Sequence, residues 1–115
     1  MQASEDAAID VEPQRAAEML ADGVPVIDVR EPYERDAGYI AGSEHVELAQ
    51  LAAAAATIDR DAPVVFYCRM GARSTMAAEA FRSSGYEAYN LAGGILAWVD
   101  AGLPLEPDGG YVANH

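Results

Sequence analysis

Apolar positions along the chain fall into short runs at two alternating periods. Val24-Pro25-Val26-Ile27-Asp28-Val29 and Pro63-Val64-Val65-Phe66-Tyr67-Cys68 are of strand length and almost wholly apolar, the pattern of strands buried on both faces. Ile9-Asp10-Val11, Glu44 to Glu47 and Glu87 to Leu91 are shorter strand candidates. Between them the period lengthens. Pro13 suits a first helical turn, Gln14 to Ala21 carries Ala16, Ala17 and Leu20 at helical spacing, and Gly23 fits a left-handed cap. Glu31 to Ala37 reads as a short helix or turn, Gly38 to Ser43 as a loop, and Leu48 to Ala56 as an alanine-rich helix. Arg73 to Ser83 is the strongest helix, with Met76, Ala77, Ala80 and Phe81 predicted as its buried face and Gly85 as its cap. Gly93-Gly94 opens a last helix, Ile95 to Ala101, stopped by Gly102 and Pro104.

Strands and helices alternating at this pace predict an α/β fold, a parallel sheet with helices on both faces. Ligands of such sheets sit at the carboxyl ends of the strands. Cys68 lies at one such end and the Asp28-Val29-Arg30-Glu31 cluster at another. The predicted domain spans residues 9–107, with 1–8 and 108–115 as flexible tails.

A chain of 115 residues is one domain by size, and a hydrophobic fraction of 51% supports a globular core. The charge is lopsided: 19 Asp and Glu against seven Arg and no Lys, a net −12. Such a surface repels nucleic acid and anionic lipid, so neither is an expected partner. No apolar run approaches the roughly 20 residues of a membrane span. Met1 to Asp10 carries acids where a signal peptide carries bases, and one cysteine forms no internal disulfide. The expected location is therefore a reducing cytoplasm.

That single cysteine is where the chemistry concentrates. It joins a predicted strand to a glycine-bearing turn that opens a helix: Cys68-Arg69-Met70-Gly71-Ala72-Arg73-Ser74. A helix N-terminus offers unpaired amides and partial positive charge, which favour thiolate over thiol. In an acidic protein, Arg69 and Arg73 beside it form the local positive patch an anion needs. An isolated cysteine at a strand end is more often a small buried hydrophobe, but the glycine and the two arginines around it argue against that reading.

Four segments in order resemble the rhodanese-like sulfurtransferase family: Val26 to Glu34, Ala37 to Ser43, Val64 to Ser74, and Gly85 through Trp98 with Gly102-Leu103-Pro104. Two departures stand in the second segment, where Tyr39 and Ala41 occupy positions usually His and Pro. The resemblance implies a single rhodanese-like domain with a mostly parallel five-stranded sheet. It implies transfer of a sulfane sulfur from thiosulfate or a persulfide donor through a persulfide on Cys68, and no cofactor. Backbone amides from Arg69 to Ser74 would cradle the sulfur, Arg69 and Arg73 would meet the anionic donor, and Gly71 would let the loop curl. Met70 and Ala72 complete the expected substrate-binding loop. With no second thiol, the sulfur passes to an outside acceptor: cyanide, a small thiol or a protein thiol. This reading requires a thiol that is both ionised and reachable.

Asp28, Arg30 and Glu31 are expected to support the loop, with Arg73 turned toward Asp28 or Glu31 as a brace. Ser74 is expected to cap the helix. Trp98 is expected to pack the last helix, and His45 to be a solvated or core-edge residue. No spacing of His, Cys and carboxylates suggests a metal site. Two other readings remain. Cysteine phosphatases and arsenate reductases use a similar loop, but with one more residue between Cys and Arg than the Arg69-Met70-Gly71-Ala72 found here, and a shorter loop makes a cradle too small for phosphate. A non-catalytic binding or sulfur-carrier module is also compatible with the fold.

Overall fold

The structure, a computed structural model, describes residues 9–114. Strands β1 (Asp10–Val11), β2 (Val26–Asp28), β4 (Glu44–His45), β5 (Pro63–Tyr67) and β6 (Glu87–Leu91) form one sheet in the order β1-β6-β5-β2-β4. Every pairing in it is parallel. Helices α1 (Pro13–Ala21), α2 (Pro32–Ala37), α3 (Leu51–Ala54), α4 (Ala72–Ser83) and α5 (Gly94–Asp100) surround it, and β3 (Tyr39–Ile40) pairs antiparallel with β7 (Leu105–Glu106) as a separate ribbon. No helix among the described residues is long and apolar enough to cross a membrane.

The two-residue period of β5 sorts the core. Val64, Phe66 and Cys68 join Ile27, Val29, Ala77, Ala78 and Phe81 on one face, while Val65 and Tyr67 join Ala16, Met19, Leu91, Ile95 and Trp98 on the other. Each large apolar side chain buried this way contributes about 1.5–3 kcal/mol. Phe81 bridges Phe66 and Tyr86, with ring centroids 4.9 and 4.7 Å away, and so clamps α4 to the sheet. Trp98 does pack α5, its indole N–H donating to the Pro104 carbonyl at 2.9 Å.

Four sequence expectations are corrected. The buried stripe of α4 is Ser74, Ala77, Ala78 and Phe81, while Met76 is 57% exposed and Ala80 faces solvent. A serine at the head of the stripe hid its period. The alanine-rich stretch is no continuous helix: 3-10 turns at Leu48–Gln50 and Ala55–Thr57 flank the four residues of α3. Only Leu51 of the three is buried, and alanine propensity alone does not repay helix nucleation over so short a length. The 38–43 loop contains β3, whose partner β7 lies some 65 residues on. The segment after Pro107, expected as a polar tail, lies across α2: Tyr111 N–H donates to the Ala37 carbonyl at 2.9 Å and the Tyr33 hydroxyl to that of Asn114 at 3.4 Å. The 1–8 tail lies outside the described residues.

At the carboxyl end of β2, Asp28 and Arg30 are both fully buried and paired. Arg30 Nε and Nη2 each reach the carboxylate at 2.8 Å, and Nη2 also donates to the Gly38 carbonyl at 2.7 Å. Removing one partner would strand a charge in the core. Asp28→Asn is therefore expected to lower the unfolding free energy by about 3 kcal/mol in urea titration; an unchanged midpoint would show that the pair does not carry this end of the sheet.

Candidate active site

Cys68 follows β5 directly, and the chain turns through Arg69, Met70 and Gly71 before α4 begins at Ala72. Gly71 holds φ at 115°, a left-handed conformation that other residues rarely adopt. Its N–H then points back at the sulfur, 3.1 Å from Cys68 Sγ. The loop is fastened from outside as well. The first amides of α5, Ile95 and Leu96, donate to the Cys68 and Arg69 carbonyls at 2.9 and 3.2 Å. This close approach explains Gly94, because a Cβ there would collide with those same carbonyls, while a Cβ on Gly93 would meet Ala97.

Burial opposes ionisation of Cys68, but the contacts it receives from Ser74 and from the N–H groups of Gly71 and Arg73 outweigh it and hold the thiol below its ordinary range. The amide cradle expected from Arg69 to Ser74 is thus carried by three of its members. Openness is where expectation and structure part: Cys68 is 1% exposed and belongs to the α4-side core. The thiol is thus held toward ionisation yet closed to solvent.

Arg73 braces the loop, but through neither of the predicted acids. Its Nη1 and Nη2 meet the two carboxylate oxygens of Glu34 at 2.8 and 3.0 Å. Asp28 is taken by Arg30, with Arg35 at 3.6 Å, and Glu31 is exposed. Glu34 was not foreseen. It is fully buried on α2, where Pro32 sets the first turn and the Glu31 N–H donates to Glu34 Oε1 at 3.1 Å. The sequence signal was a Glu three residues after a cap position. Burial would raise the Glu34 carboxyl, yet Arg73 and the Glu31 backbone lower it overall.

The other predicted residues divide. Arg69 is half-buried and its Nε donates to the Ala113 carbonyl at 3.2 Å, so the C-terminal segment holds it. Met70 is 64% exposed and Ala72 also faces solvent. Ser74 caps nothing: the N-cap is Gly71, and the Ser74 hydroxyl lies among Cys68 Sγ, the Gly71 carbonyl and Asn90 Oδ1. Asn90, the second residue that sequence reasoning missed, was marked only by being an amide inside an apolar strand. His45 is half-buried on β4, with Nε2 2.8 Å from the Arg30 carbonyl. A shallow cavity walled by Val29, Glu31, Glu47, Leu48, Ala49 and Arg73 adjoins the loop, and Cys68 is not among its walls.

A parallel five-stranded sheet with a cysteine loop at the end of its central strand defines a class, and comparison with known proteins agrees. Residues 12–101 match the model of the rhodanese-like domain. The chain belongs to the rhodanese-like family. It is 35% identical over 89 residues to thiosulfate sulfurtransferase GlpE of Pseudomonas aeruginosa (strain LESB58), covering 76% of this chain and 81% of that protein. A sulfurtransferase of Allochromatium vinosum is also 35% identical, over 104 residues, or 87% of this chain and 97% of the relative. The crystal structure of a rhodanese-related protein from Thermoplasma volcanium superposes with a TM-score of 0.77 at 29% identity, covering 84% of this chain and 95% of that one.

The Arg73–Glu34 pair yields a prediction with a defined sign. A carboxyl held low in the folded state stabilises above the ordinary glutamate range, and that contribution is lost as pH falls through the range to the lowered value. Arg73→Ala is expected to cost about 3 kcal/mol at neutral pH and less in acid, where Glu34 protonates. Urea unfolding of both proteins at several pH values checks this; a pH-independent difference would contradict it.

Proposed function

We propose that the protein is a sulfurtransferase that carries a sulfane sulfur as a persulfide on Cys68. The observation that supports this most directly is the convergence of the Gly71 N–H at 3.1 Å, with the Arg73 and Ser74 amides, on one sulfur. A cysteine serving only as core filling attracts no such set of donors and is pushed toward the neutral thiol. The Cys68 thiolate attacks the outer sulfur of thiosulfate. The bond to sulfite breaks, sulfite leaves with the electron pair, and the charge passes to the terminal sulfur of the persulfide. The same amides then stabilise that anion. An acceptor nucleophile, whether cyanide, a small thiol or a protein thiol, takes the terminal sulfur and restores the thiolate.

In this reading Arg69 guides the anionic donor once released from the Ala113 carbonyl, and Met70 and Ala72 form the loop's outer surface. Arg73 braces the loop through Glu34, while Asp28 with Arg30 anchors the strand end below, and Glu31 stands at the start of α2 beside Arg73. A persulfide chemistry of this kind belongs in a reducing compartment, the cytoplasm. The four-residue spacing from Cys68 to Arg73 speaks against a phosphatase. Burial of the sulfur favours one competing reading, a rhodanese-like module that binds or carries without turning over thiosulfate.

Incubation with thiosulfate followed by intact-mass measurement distinguishes the two. Wild type is expected to gain one sulfur atom and Cys68→Ser none; no gain on either protein would leave the binding module. A second expectation concerns charge. Arg69→Ala should slow persulfide formation from thiosulfate about tenfold, the worth of one charge-assisted hydrogen bond, and affect an uncharged persulfide donor less. Equal losses on both donors would show that Arg69 does not read the anion.

A further inference from the structure

The Ser74 hydroxyl is fully buried and carries one hydrogen, yet three acceptors surround it: Asn90 Oδ1 at 2.6 Å, Cys68 Sγ at 3.3 Å and the Gly71 carbonyl at 3.3 Å. A hydroxyl donates to one acceptor well, and 2.6 Å is the length of a strong O–H···O bond. Which way Asn90 presents its amide therefore decides what the sulfur receives. Asn90 is 3% exposed on β6, in register with Asp10 of the edge strand β1, and its Nδ2 lies 3.0 Å from Asp10 Oδ1. An ionised carboxylate only accepts, so it takes the NH2 end of Asn90 and leaves the carbonyl end facing Ser74. The Asn90 carbonyl then holds the Ser74 hydrogen, and the sulfur faces an oxygen lone pair.

We propose that Asp10 and Asn90 are positioning residues for Cys68: by orienting the Asn90 amide they keep the Ser74 hydrogen off the sulfur. The thiolate then depends on the amides of Gly71, Arg73 and Ser74. This arrangement has a chemical use. Each hydrogen bond to a thiolate raises its population but blunts its nucleophilicity, and the most effective attacking thiol titrates near ambient pH. A cradle that spent the Ser74 hydroxyl on the sulfur as well would overshoot. The purpose of the relay rests on the sulfurtransferase reading, whereas its test rests only on the titration of Cys68.

That titration is followed by the ultraviolet absorbance of the thiolate, taken as the difference from Cys68→Ser, which needs neither substrate nor access to the buried sulfur. Asn90→Leu keeps the bulk and removes the competing acceptor. The Ser74 hydroxyl should turn onto the sulfur and the Cys68 midpoint should fall by about one pH unit, tenfold more thiolate at a given pH below both midpoints. Asp10→Ala, at an exposed position where folding is not at stake, frees the Asn90 amide to turn and should shift the midpoint the same way by a smaller amount. Ser74→Ala should change the wild-type midpoint little but cancel the shift in the Asn90→Leu background, a non-additivity that loss of packing alone would not produce. A midpoint that rises or stays fixed in Asp10→Ala, or a Ser74→Ala shift of equal size in both backgrounds, overturns the proposal.

Discussion

Burial and charge conflict at one sulfur atom, and the surrounding structure is arranged around that conflict. Left among Val29, Phe66 and Ala77, a thiol stays neutral. Three amides turned inward by a tight loop reverse that preference, and a loop so short keeps them inward only if it is held from outside. The first turn of α5 holds its carbonyls, and Glu34 holds the side chain of Arg73. The sheet beneath supplies the fixed point, because β5 sits between β2 and β6 and brings Cys68 to the same place every time.

These supports come from distant parts of the chain. Glu34 reaches the loop because α2 packs its carboxylate inward, and Gly94 reaches it because no Cβ stands between α5 and the Arg69 carbonyl. The Asp28–Arg30 pair at the neighbouring strand end is independent of the sulfur chemistry and secures the corner from which α2 departs. Of the seven arginines, Arg30 and Arg73 share one role: each neutralises an acid that the fold has taken out of water.

The C-terminal segment is tied to the site through the loop and α2. Its carbonyls at Ala113 and Asn114 receive Arg69 and Tyr33, one from the loop and one from α2. Val112 packs against the Tyr67 and Trp98 side of the core and Tyr111 donates to the Ala37 carbonyl, so this segment is docked on the domain.

Much of this is legible in the sequence alone. Strand runs, glycine caps and the strand–turn–helix at Cys68 are local signals, and the parity of β5 alone places the cysteine on the same face as Val64 and Phe66. The spacing of four residues before Arg73 likewise bounds the cradle. Tertiary structure decided the partners. Arg73 pairs with Glu34 and with neither Asp28 nor Glu31, because Asp28 is already paired and only Glu34 is buried beside it. The α4 stripe runs through Ser74, a polar residue that hydropathy counts as exposed, because its hydroxyl finds acceptors on Asn90, Gly71 and Cys68 inside the fold. Local propensity and periodicity act over a few residues and can be read in order. Hydrogen-bond satisfaction and charge pairing act through space, so they become visible only when the chain has closed on itself.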